Sequence, residues 1–397
     1  MIAEVPLKWV VSYNDDSLPE STDESTQIRY VEISDVNETD GITGAADVAF
    51  GEAPSRARRI LQRGDVIVST VRTYLRAVAA VGTNYDGAIC STGFAVLRAR
   101  GVDERFLKYA VLDRAFMDQV VAQSTGVSYP AINASDLVRI RIPLPAPHDQ
   151  RAIADYLDRE TAQIDAFIAK NEELITLLTE RRGAVIELAI REGAGATAKL
   201  GVLLRGLKDG THGSFARIES PHPLLGARNV QGGRLVLDGK ESTISEDDHR
   251  AIVANGFPRR GDVLLVIVGA TIGKSAVYEL TDSLSFQRSV AFLRPGRLLT
   301  SRFLWYYTQT RAFQDEVWLR AKVSAQPGLY LGDVASIPIA LPDVAAQQVI
   351  TTRLDRDVVA IDEAISVATT TIELARERRA ALISAAVTGK IEVGVAV

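Results

Sequence analysis

The segment at residues 269–275, GATIGKS, is the stretch whose residue types come closest to a nucleotide-binding loop. A phosphate-binding loop needs four residues between its two glycines so that the backbone amides can curl round the phosphates. Only three residues separate Gly269 from Gly273, and Val268 cannot take the place of the first glycine. The segment therefore indicates a strand that ends in a turn. A nucleotide hydrolase that uses 269–275 stays open as an alternative function.

Other residues with catalytic potential also lack the partners that catalysis needs. Asp238-Gly239-Lys240 resembles part of a nuclease site, but no Pro-Asp pair lies upstream, and the tripeptide indicates a surface turn. The chain has no Pro-Pro dipeptide, which excludes the Asn/Asp-Pro-Pro-aromatic motif of amino-methyltransferases. The histidines show no metal-ligand spacing and are predicted to be surface or hydrogen-bonding residues: His148, His212, His222 and His249. We therefore predict that this chain has no catalytic, cofactor-binding or metal-binding residue.

A long segment occurs twice in the chain. Functional side chains elsewhere in the chain must be positioned by this repeated framework. Leu157-Asp158-Arg159 recurs as Leu354-Asp355-Arg356, and Glu180-Arg181-Arg182 recurs as Glu377-Arg378-Arg379. Both pairs of segments are 197 residues apart. A constant offset over such a distance indicates an internal duplication.

Apolar residues in both copies recur at steps of three, four or seven, the spacing of a helix that pairs with another helix. The first copy has Ile153, Leu157, Ile164, Phe167, Leu174, Leu178, Val185 and Leu188, and the second has Ile350, Leu354, Ile361, Ile365, Ile372 and Leu382. We predict two long helices packed as an antiparallel coiled coil. Eight residues are predicted to lie in the contact between the two helices, and we call them the spacer positions: Leu157, Ile164, Asn171, Leu178, Val185, Leu354, Ile361 and Leu382. Asn171 is either a tolerated polar layer or a lock on the register of the pair.

Length and composition favour a protein of several domains in a reducing compartment. A chain of 397 residues with 47% apolar residues can form two or three domains. Its single cysteine, Cys90, excludes a disulfide framework and is predicted to be buried and reduced, which fits a cytoplasmic protein. No secretion signal is visible, and the longest apolar run, 263–270, is too short to cross a bilayer. A net charge of −5 argues against indiscriminate coating of nucleic acid, but it allows local basic patches.

The segments that precede the two long helices share a plan of their own. Gly64-Asp65-Val66 recurs as Gly261-Asp262-Val263, and Arg114-Ala115-Phe116 recurs as Arg311-Ala312-Phe313, again 197 residues apart. Residues 72–88 and 267–284, by contrast, do not match. In the first half we predict strands at 6–12, 27–33, 66–70 and 94–98, and a helix at 104–122.

These patterns predict an α+β fold in which two mixed-sheet domains are separated by two long helices. The predicted boundaries are a first globular domain at 1–146, a central long helix at 147–191, a linker at 192–198, a second globular domain at 199–341, a C-terminal long helix at 342–390 and a tail at 391–397. A duplicated framework with divergent loops suits a molecule that holds two related readers, each of which recognises something different.

On this plan, the sequence resembles the specificity subunits of type I restriction–modification systems. The resemblance is carried by IPLPAPHDQRAIADYLDRETAQID, its copy IPIALPDVAAQQVITTRLDRDVVAID, and the segments GDVLLVIVGATIGK and KDGTHGS. It implies that each globular part is a target recognition domain that reads one half of a bipartite, asymmetric site in double-stranded DNA. The helices would set the spacer, and the subunit itself would do no chemistry. Its implied partners are two adenine-methylating modification subunits, which use S-adenosylmethionine, and ATP-dependent restriction subunits.

Under this resemblance, the expected DNA contacts are basic and aromatic side chains on loops: Arg72, Arg76 and Tyr129 in the first half, and His212, Lys274, Arg288 and Lys322 in the second. Arginine can donate two hydrogen bonds to O6 and N7 of guanine and so recognise the base. Basic side chains that contact phosphates only set the register of the protein on the DNA. The cluster Arg56, Arg58 and Arg59 is predicted to be a solvated charge run. A coiled-coil scaffold that binds only proteins stays open as a second alternative.

Overall fold

The two repeated Gly-Asp-Val segments, at 64–66 and 261–263, each lead into a central strand of one of the two folded units. The computed structural model describes residues 2–193, 195–322, 327–391 and 393, and these residues divide into two units. The first unit holds the described residues up to Glu172 and from Thr369 onward, and the second holds residues 173–368. Residue 194 of the predicted linker and most of the predicted tail lie outside the described residues. Each unit contains sheets and helices, which confirms the α+β class.

The elements of the first globular part are short strands followed by helices. The strands are β1 Glu4–Pro6, β2 Val11–Tyr13, β3 Gln27–Val31, β4 Val36–Asn37, β5 Gly41–Ile42, β6 Ala46–Ala49, β7 Ala57–Ile60, β8 Val66–Ser69, β9 Val78–Ala80, β10 Ile89–Ser91, β11 Phe94–Ala99 and β12 Arg141–Pro143. The helices are α1 Glu104–Leu112, α2 Arg114–Ala122, α3 Ala134–Leu137 and the long α4 Pro147–Glu192.

The central sheet of the first unit has the antiparallel order β2-β11-β8-β9, and both of its faces are covered. Val66 and Val68 pack into a core with α1 and α2, whereas Ile67 points into a second core on the other face. Because successive side chains of a strand alternate between faces, a strand covered on both sides must be apolar throughout. A neighbouring sheet, β6-β3-β10-β7, pairs β10 parallel to β3 and antiparallel to β7 and is therefore mixed.

Three secondary-structure predictions for this half need correction. The helix predicted at 104–122 is two helices, because Asp113 adopts an extended ψ of 134° and its buried carboxylate accepts a hydrogen bond from Ser384. The strand predicted at 6–12 is interrupted by a 3-10 turn at Leu7–Trp9, whose amides bond to the carbonyls of Ile140 and Val138. The strand predicted at 27–33 ends at Val31, where another short turn begins.

The second globular part has a similar order of elements, with two additional helices before its central strand. Its strands are β13 Ala196–Lys199, β14 Leu204–Asp209, β15 His222–Leu225, β16 Val230–Gln231, β17 Arg234–Leu235, β18 Thr243–Ile244, β19 Val263–Val266, β20 Ser275–Val277, β21 Ser285–Phe286, β22 Val290–Pro295 and β23 Pro338–Leu341. Its helices are α5 Leu200–Leu203, α6 Glu246–Ala254, α7 Ser301–Thr308, α8 Arg311–Arg320, α9 Leu331–Ser336 and the long α10 Val344–Val387.

The central sheet of the second unit has the order β14-β22-β19-β20, which is the order of the first sheet with each strand replaced by its counterpart. Val263 and Leu265 of β19 pack into the core beneath α7 and α8, and Leu264 and Val266 pack on the opposite face. The same alternation therefore serves both units, and β19 takes the place of β8.

The two long helices run antiparallel where they meet in each unit. Ion pairs join α4 to α10: Asp165–Arg379 (2.9 Å) and Glu172–Arg376 (3.0 Å) in the first unit, Arg182–Asp362 (2.8 Å) and Glu192–Arg353 (3.4 Å) in the second. In both units the partner number falls as the α4 number rises, which confirms the predicted direction. No helix within the described residues has an apolar stretch long enough to cross a membrane.

One of these ion pairs is built twice from equivalent residues. Asp165 and Asp362 are 197 residues apart, and so are Arg182 and Arg379. The guanidinium Nε donates to the carboxylate in both, Arg379 to Asp165 and Arg182 to Asp362. The duplicated sequence thus repeats individual contacts as well as the order of elements.

The eight predicted spacer positions are all buried or half-buried, but three other residues of the predicted stripe are exposed. Leu157, Ile164, Leu354 and Ile361 are buried, and Asn171, Leu178, Val185 and Leu382 are half-buried. Phe167, Leu174 and Leu188 are exposed, so their placement in the stripe was wrong. Their C-terminal neighbours Ile168, Ile175 and Ala189 face inward instead. Each of these neighbours is also apolar, so the period of 3.6 residues decides which one is buried.

Asn171 makes its hydrogen bond within α4. Its side-chain Nδ2 donates to the carbonyl oxygen of Phe167 at 2.9 Å. A lock on the register would pair the amide with the partner helix, as a buried asparagine does in a coiled coil. The contact made by Asn171 fits the alternative of a tolerated polar layer.

A buried glutamine fixes the start of each long helix to its globular part. The Gln150 side chain accepts from the amide of Asp103 (2.8 Å) and donates to the carbonyl of Pro145 (2.8 Å). Gln347 does the same with Thr300 (2.8 Å) and Pro342 (2.9 Å). Because buried polar groups are costly unless paired, these amides hold the helix in one position.

A tyrosine makes a second such attachment one turn or more along each helix. Tyr109 donates to Asp158 at 2.7 Å, and Tyr306 donates to Asp355 at 2.8 Å. Burial raises the pKa of both phenols, so both stay protonated as donors. Each globular part is thereby fastened to its own portion of the helix pair.

Truncation of Leu157 or Leu354 to alanine should test the helix contact. Both side chains are fully buried, so we expect each substitution to reduce the free energy of unfolding by about 2–5 kcal/mol. Leu374→Ala in the first unit and Leu177→Ala in the second are matched controls, because these leucines of the same helices are exposed. Denaturant unfolding measures the difference, and equal losses in the buried and exposed variants would contradict the packing described above.

Candidate nucleic-acid interface

Three of the predicted DNA contacts in the second unit lie at one end of the central sheet. The register places Asp209 opposite Ala291 and Val266 opposite Val290, so β14 and β19 end where β22 begins. His212 follows β14, Lys274 precedes β20 and Arg288 precedes β22. All three side chains are exposed.

Backbone hydrogen bonds tie these loops together. The Arg288 amide donates to the carbonyl of Thr211 (2.9 Å), and the Thr211 amide donates to the carbonyl of Phe286 (2.7 Å). A Cβ at Gly210 would lie 2.3 Å from the Phe286 oxygen, so the KDGTHGS segment needs glycine there. The loops that carry His212 and Arg288 are therefore held side by side.

Lys322 reaches the same end of the sheet through a separate loop. Lys322 pairs with Gly328, Gly328 pairs with Val268, and the amide of Leu329 donates to the carbonyl of Ile267 at 2.8 Å. The ammonium group of Lys322 lies 4.5 Å from the centroid of the exposed Tyr330 ring. Tyr330 was not predicted from the sequence, because a lone tyrosine in a loop does not indicate that a lysine packs on its ring.

The cations at this end differ in how far their charge is compensated. Nε2 of His212 lies 2.7 Å from Oδ2 of Asp209. Lys274 and Arg288 have no carboxylate within 4.0 Å in the part of the chain that the structure describes. Their charges are therefore available to an anionic partner such as a phosphate.

The first unit presents its predicted contacts at the equivalent end of its own sheet. Arg72 and Arg76 lie between β8 and β9, and Tyr129 lies in a loop fixed by a bridge between Val71 and Ala131. The Arg72 guanidinium is 5.0 Å from the centroid of the Tyr129 ring. Nη2 of Arg76 is 2.5 Å from Oδ1 of Asp118. The structure thus brings together the residues that the sequence could only name one by one.

The predicted charge run at Arg56, Arg58 and Arg59 is only partly solvated. Arg56 is exposed, but Arg58 and Arg59 are half-buried. The Arg58 guanidinium lies 4.6 Å from the centroid of the Phe50 ring. Burial lowers the pKa of Arg59, and its Nε lies out of contact with solvent. For Arg58 and Arg59 the prediction was wrong, because each belongs to the packing of the domain.

The structure does not support the phosphate-loop alternative. Residues 267–274 join β19 to β20, which pair antiparallel, so the segment is a hairpin connection. A phosphate-binding loop instead leads into the N-terminus of a helix, which supplies the amides. Ser275 is buried and its hydroxyl lies 2.6 Å from that of Thr308, where it cannot reach a metal ion.

Two of the histidines form a packed pair near α6. The rings of His222 and His249 stack with centroids 4.3 Å apart, and Nδ1 of His249 is 2.9 Å from the Ser285 hydroxyl. Burial lowers the pKa of His249. No group of three potential metal ligands occurs among residues 2–193, 195–322, 327–391 and 393. The pair therefore has the character of a structural contact.

Known proteins resemble this chain in sequence and in architecture. Residues 15–176 match the family described as the type I restriction modification DNA specificity domain. Over 281 residues the chain is 24% identical to the type I restriction enzyme EcoBI specificity subunit of Escherichia coli. That alignment covers 64% of this chain and 58% of the relative, which is less than two thirds of its length.

Solved structures extend the likeness to nearly the whole chain. A structure of the type I R-M system, described in terms of complex assembly and conformational transition, is 24% identical, covers 98% of both chains and has a TM-score of 0.70. It shows that the fold is shared. The HsdS subunit of Thermoanaerobacter tengcongensis is also 24% identical and covers 98% of this chain and 97% of its own, with a TM-score of 0.47.

The fold places two different loop surfaces on one duplicated scaffold. Each surface combines cations with an exposed aromatic ring at the same end of equivalent sheets. Residues 15–176 carry the type I restriction modification DNA specificity domain, and nearly the whole chain shares its fold with a solved structure of the type I R-M system.

Proposed function

We propose that this chain is the DNA-reading subunit of a type I restriction–modification complex and has no catalytic role of its own. Each globular part reads one half of a bipartite, asymmetric site in double-stranded DNA. The observation that carries this proposal is that equivalent loops of the two sheets carry unlike side chains, Arg72 and Arg76 in one unit and Gly269 and Gly273 in the other. Two readers with different side chains favour a site whose halves have different sequences.

The proposal extends to the partners of the chain. The paired helices set the spacer between the half-sites and bind two adenine-methylating modification subunits, which supply S-adenosylmethionine as the methyl donor. ATP-dependent restriction subunits join that complex, which works on cellular DNA in the cytoplasm. Support for two copies of one partner comes from Leu177 and Leu374, which are 197 residues apart and 54% and 60% exposed. Equivalent exposed leucines on a duplicated helix suit two identical partners.

The pattern of modified adenines tests the proposed function directly. The full chain is expressed with its cognate modification subunits in a host that lacks other adenine methylation, and the modified adenines are mapped across the genome. We expect one split motif whose two halves differ in sequence. A continuous or palindromic motif would contradict the two-reader proposal.

The isolated complex gives a second readout of the same proposal. Binding to a duplex that carries the motif should weaken steeply with salt, because basic side chains displace counterions from the phosphates. Failure of the chain to bind any duplex, with the modification subunits present, would favour the protein-only scaffold instead.

Leu177→Glu and Leu374→Glu test the proposed partner surface. Each exposed leucine can lose water on binding, whereas a buried glutamate would be costly, so we expect each variant to weaken one docking event at least about tenfold. Native mass spectrometry should then detect two modification subunits on the wild type, one on each single variant and none on the double variant. Arg151→Glu, a charge reversal at an exposed position of α4 about seven turns from Leu177, is the control. Retention of both subunits by the double variant would exclude these leucines from the interface.

A further inference from the structure

The loop between β8 and β9 holds two arginines in a backbone conformation that suits glycine. Arg72 has φ 51° and ψ 47°, and Arg76 has φ 50°. At the positions 197 residues later, the second unit has Gly269 and Gly273, with φ values of 102° and 88°. The loop therefore needs left-handed backbone at both places in both units. Glycine adopts it freely, whereas a side chain costs about 1–2 kcal/mol there.

The two arginines differ in what their side chains do. The guanidinium of Arg76 is half-buried and bound to Asp118 of α2, so its charge is compensated within the domain. Arg72 is exposed, and no carboxylate lies within 4.0 Å of it in the described part of the chain. Its guanidinium instead lies 5.0 Å from the ring centroid of Tyr129, which is itself 65% exposed.

A guanidinium that lies over an aromatic ring keeps its N–H groups free. The donors of arginine lie in the plane of the group and point outward from its edge, so a ring beneath the plane supports the group without occupying them. Two parallel donors match the O6 and N7 acceptors of guanine in the major groove. An arginine placed in this way before DNA arrives loses less freedom when it binds.

We propose that Arg72 reads a guanine in one half of the DNA site, with Tyr129 as its positioning residue, and that Arg76 only fixes the loop through Asp118. The inference rests on the proposed function and assigns different roles to two residues that the sequence presents as equals. It also explains why the strained backbone at position 72 carries an arginine: the side chain recognises a base.

Two glycine variants provide a matched test in the full complex with the modification subunits. Arg72→Gly and Arg76→Gly both relieve the same left-handed strain and both copy the residue of the second unit, but only Arg76→Gly also removes an ion pair, the one with Asp118. Initial methylation rates are measured on duplexes in which each guanine–cytosine pair of the motif is replaced in turn. We expect Arg72→Gly to lose about ten- to hundredfold discrimination at one pair in one half of the motif. Arg76→Gly should keep the discrimination of the wild type at every pair.

Further variants separate base reading from general charge and from loop structure. Arg72→Lys keeps the charge but loses the fork, so it should lose discrimination at the same pair as Arg72→Gly. Tyr129→Phe should behave as wild type, and Tyr129→Ala should lose discrimination at that pair alone. Unchanged discrimination in Arg72→Gly, or an equal change in the two glycine variants, would overturn the assignment.

The wild type distinguishes a failure of the proposed function from a failure of the role assigned to Arg72. A wild type that shows no split motif would remove the proposed function and the role of Arg72 with it. A wild type with the split motif, combined with an Arg72→Gly variant of the same selectivity, would overturn the role of Arg72 alone.

Discussion

Replacement of Asp262 by alanine is expected to lower the free energy of unfolding of the second unit by about 3–5 kcal/mol. The Asp262 carboxylate is buried and accepts from Nε (2.9 Å) and Nη2 (2.7 Å) of Arg294 on β22 and from the amide of Arg259 (2.8 Å). These bonds hold the pKa of Arg294 above its ordinary value. Alanine would leave the mostly buried guanidinium without its carboxylate, which is far more costly than the loss of a surface ion pair.

The first unit supplies the matched control for this prediction. Asp65 accepts from Nε (2.8 Å) and Nη2 (2.9 Å) of Arg98 in the same way, but Arg98 also contacts Asp16 at 2.8 Å. We therefore expect Asp65→Ala to cost less than Asp262→Ala. Hydrogen exchange of the amides in β19 and β22, compared with β8 and β11, would resolve the two units. Equal protection losses in the two variants would show that Asp16 does not hold Arg98.

Removal of one heptad from both α4 and α10 should change the spacer of the methylated motif. Seven residues correspond to about 10 Å of helix, or up to about three base pairs of DNA. Removal of a whole heptad keeps the apolar positions in phase, so the helices can still pair. The sequences of the two half-sites should stay the same, because the sheet ends that read them are untouched. Mapping of modified adenines measures both quantities in one experiment.

The control for the spacer prediction removes two residues from each helix. That change rotates the apolar face by about 200°, to the opposite side of the helix, so we expect loss of folding or of methylation and no new spacer. A heptad variant that methylates the original motif with its original spacer would refute the role of the helices as a ruler.

The 197-residue repeat predicted the two-part plan, and the apolar spacing within each copy predicted two long helices that pair with each other. The repeat was informative because residues such as Asp165 and Arg182 must keep their types to form the same ion pair twice. Details that depend on neighbouring apolar residues were not predictable. Phe167 and Ile168 are both suitable for a helix contact, and only the accumulated rotation of the helix places Ile168 inside.

The candidate site was predictable as a set of residues and unpredictable as a set of roles. Arg72 and Arg76 are indistinguishable in the sequence, since both are loop arginines beside a buried strand. Asp118 and Tyr129 separate them, and each lies more than 40 residues away in the chain, on a helix and on a loop. The break at Asp113 escaped prediction for a similar reason, because its partner Ser384 lies near the other end of the chain.

The ion pair that is built twice has an evolutionary consequence. Because Asp165 with Arg379 and Asp362 with Arg182 are the same contact at equivalent positions, genes that encode such chains can cross over within the helix segments without disturbing it. The exchange joins a globular part from one gene to a globular part from another, and the ion pair between the long helices is kept. New pairings of globular parts can then arise by recombination without loss of this ion pair.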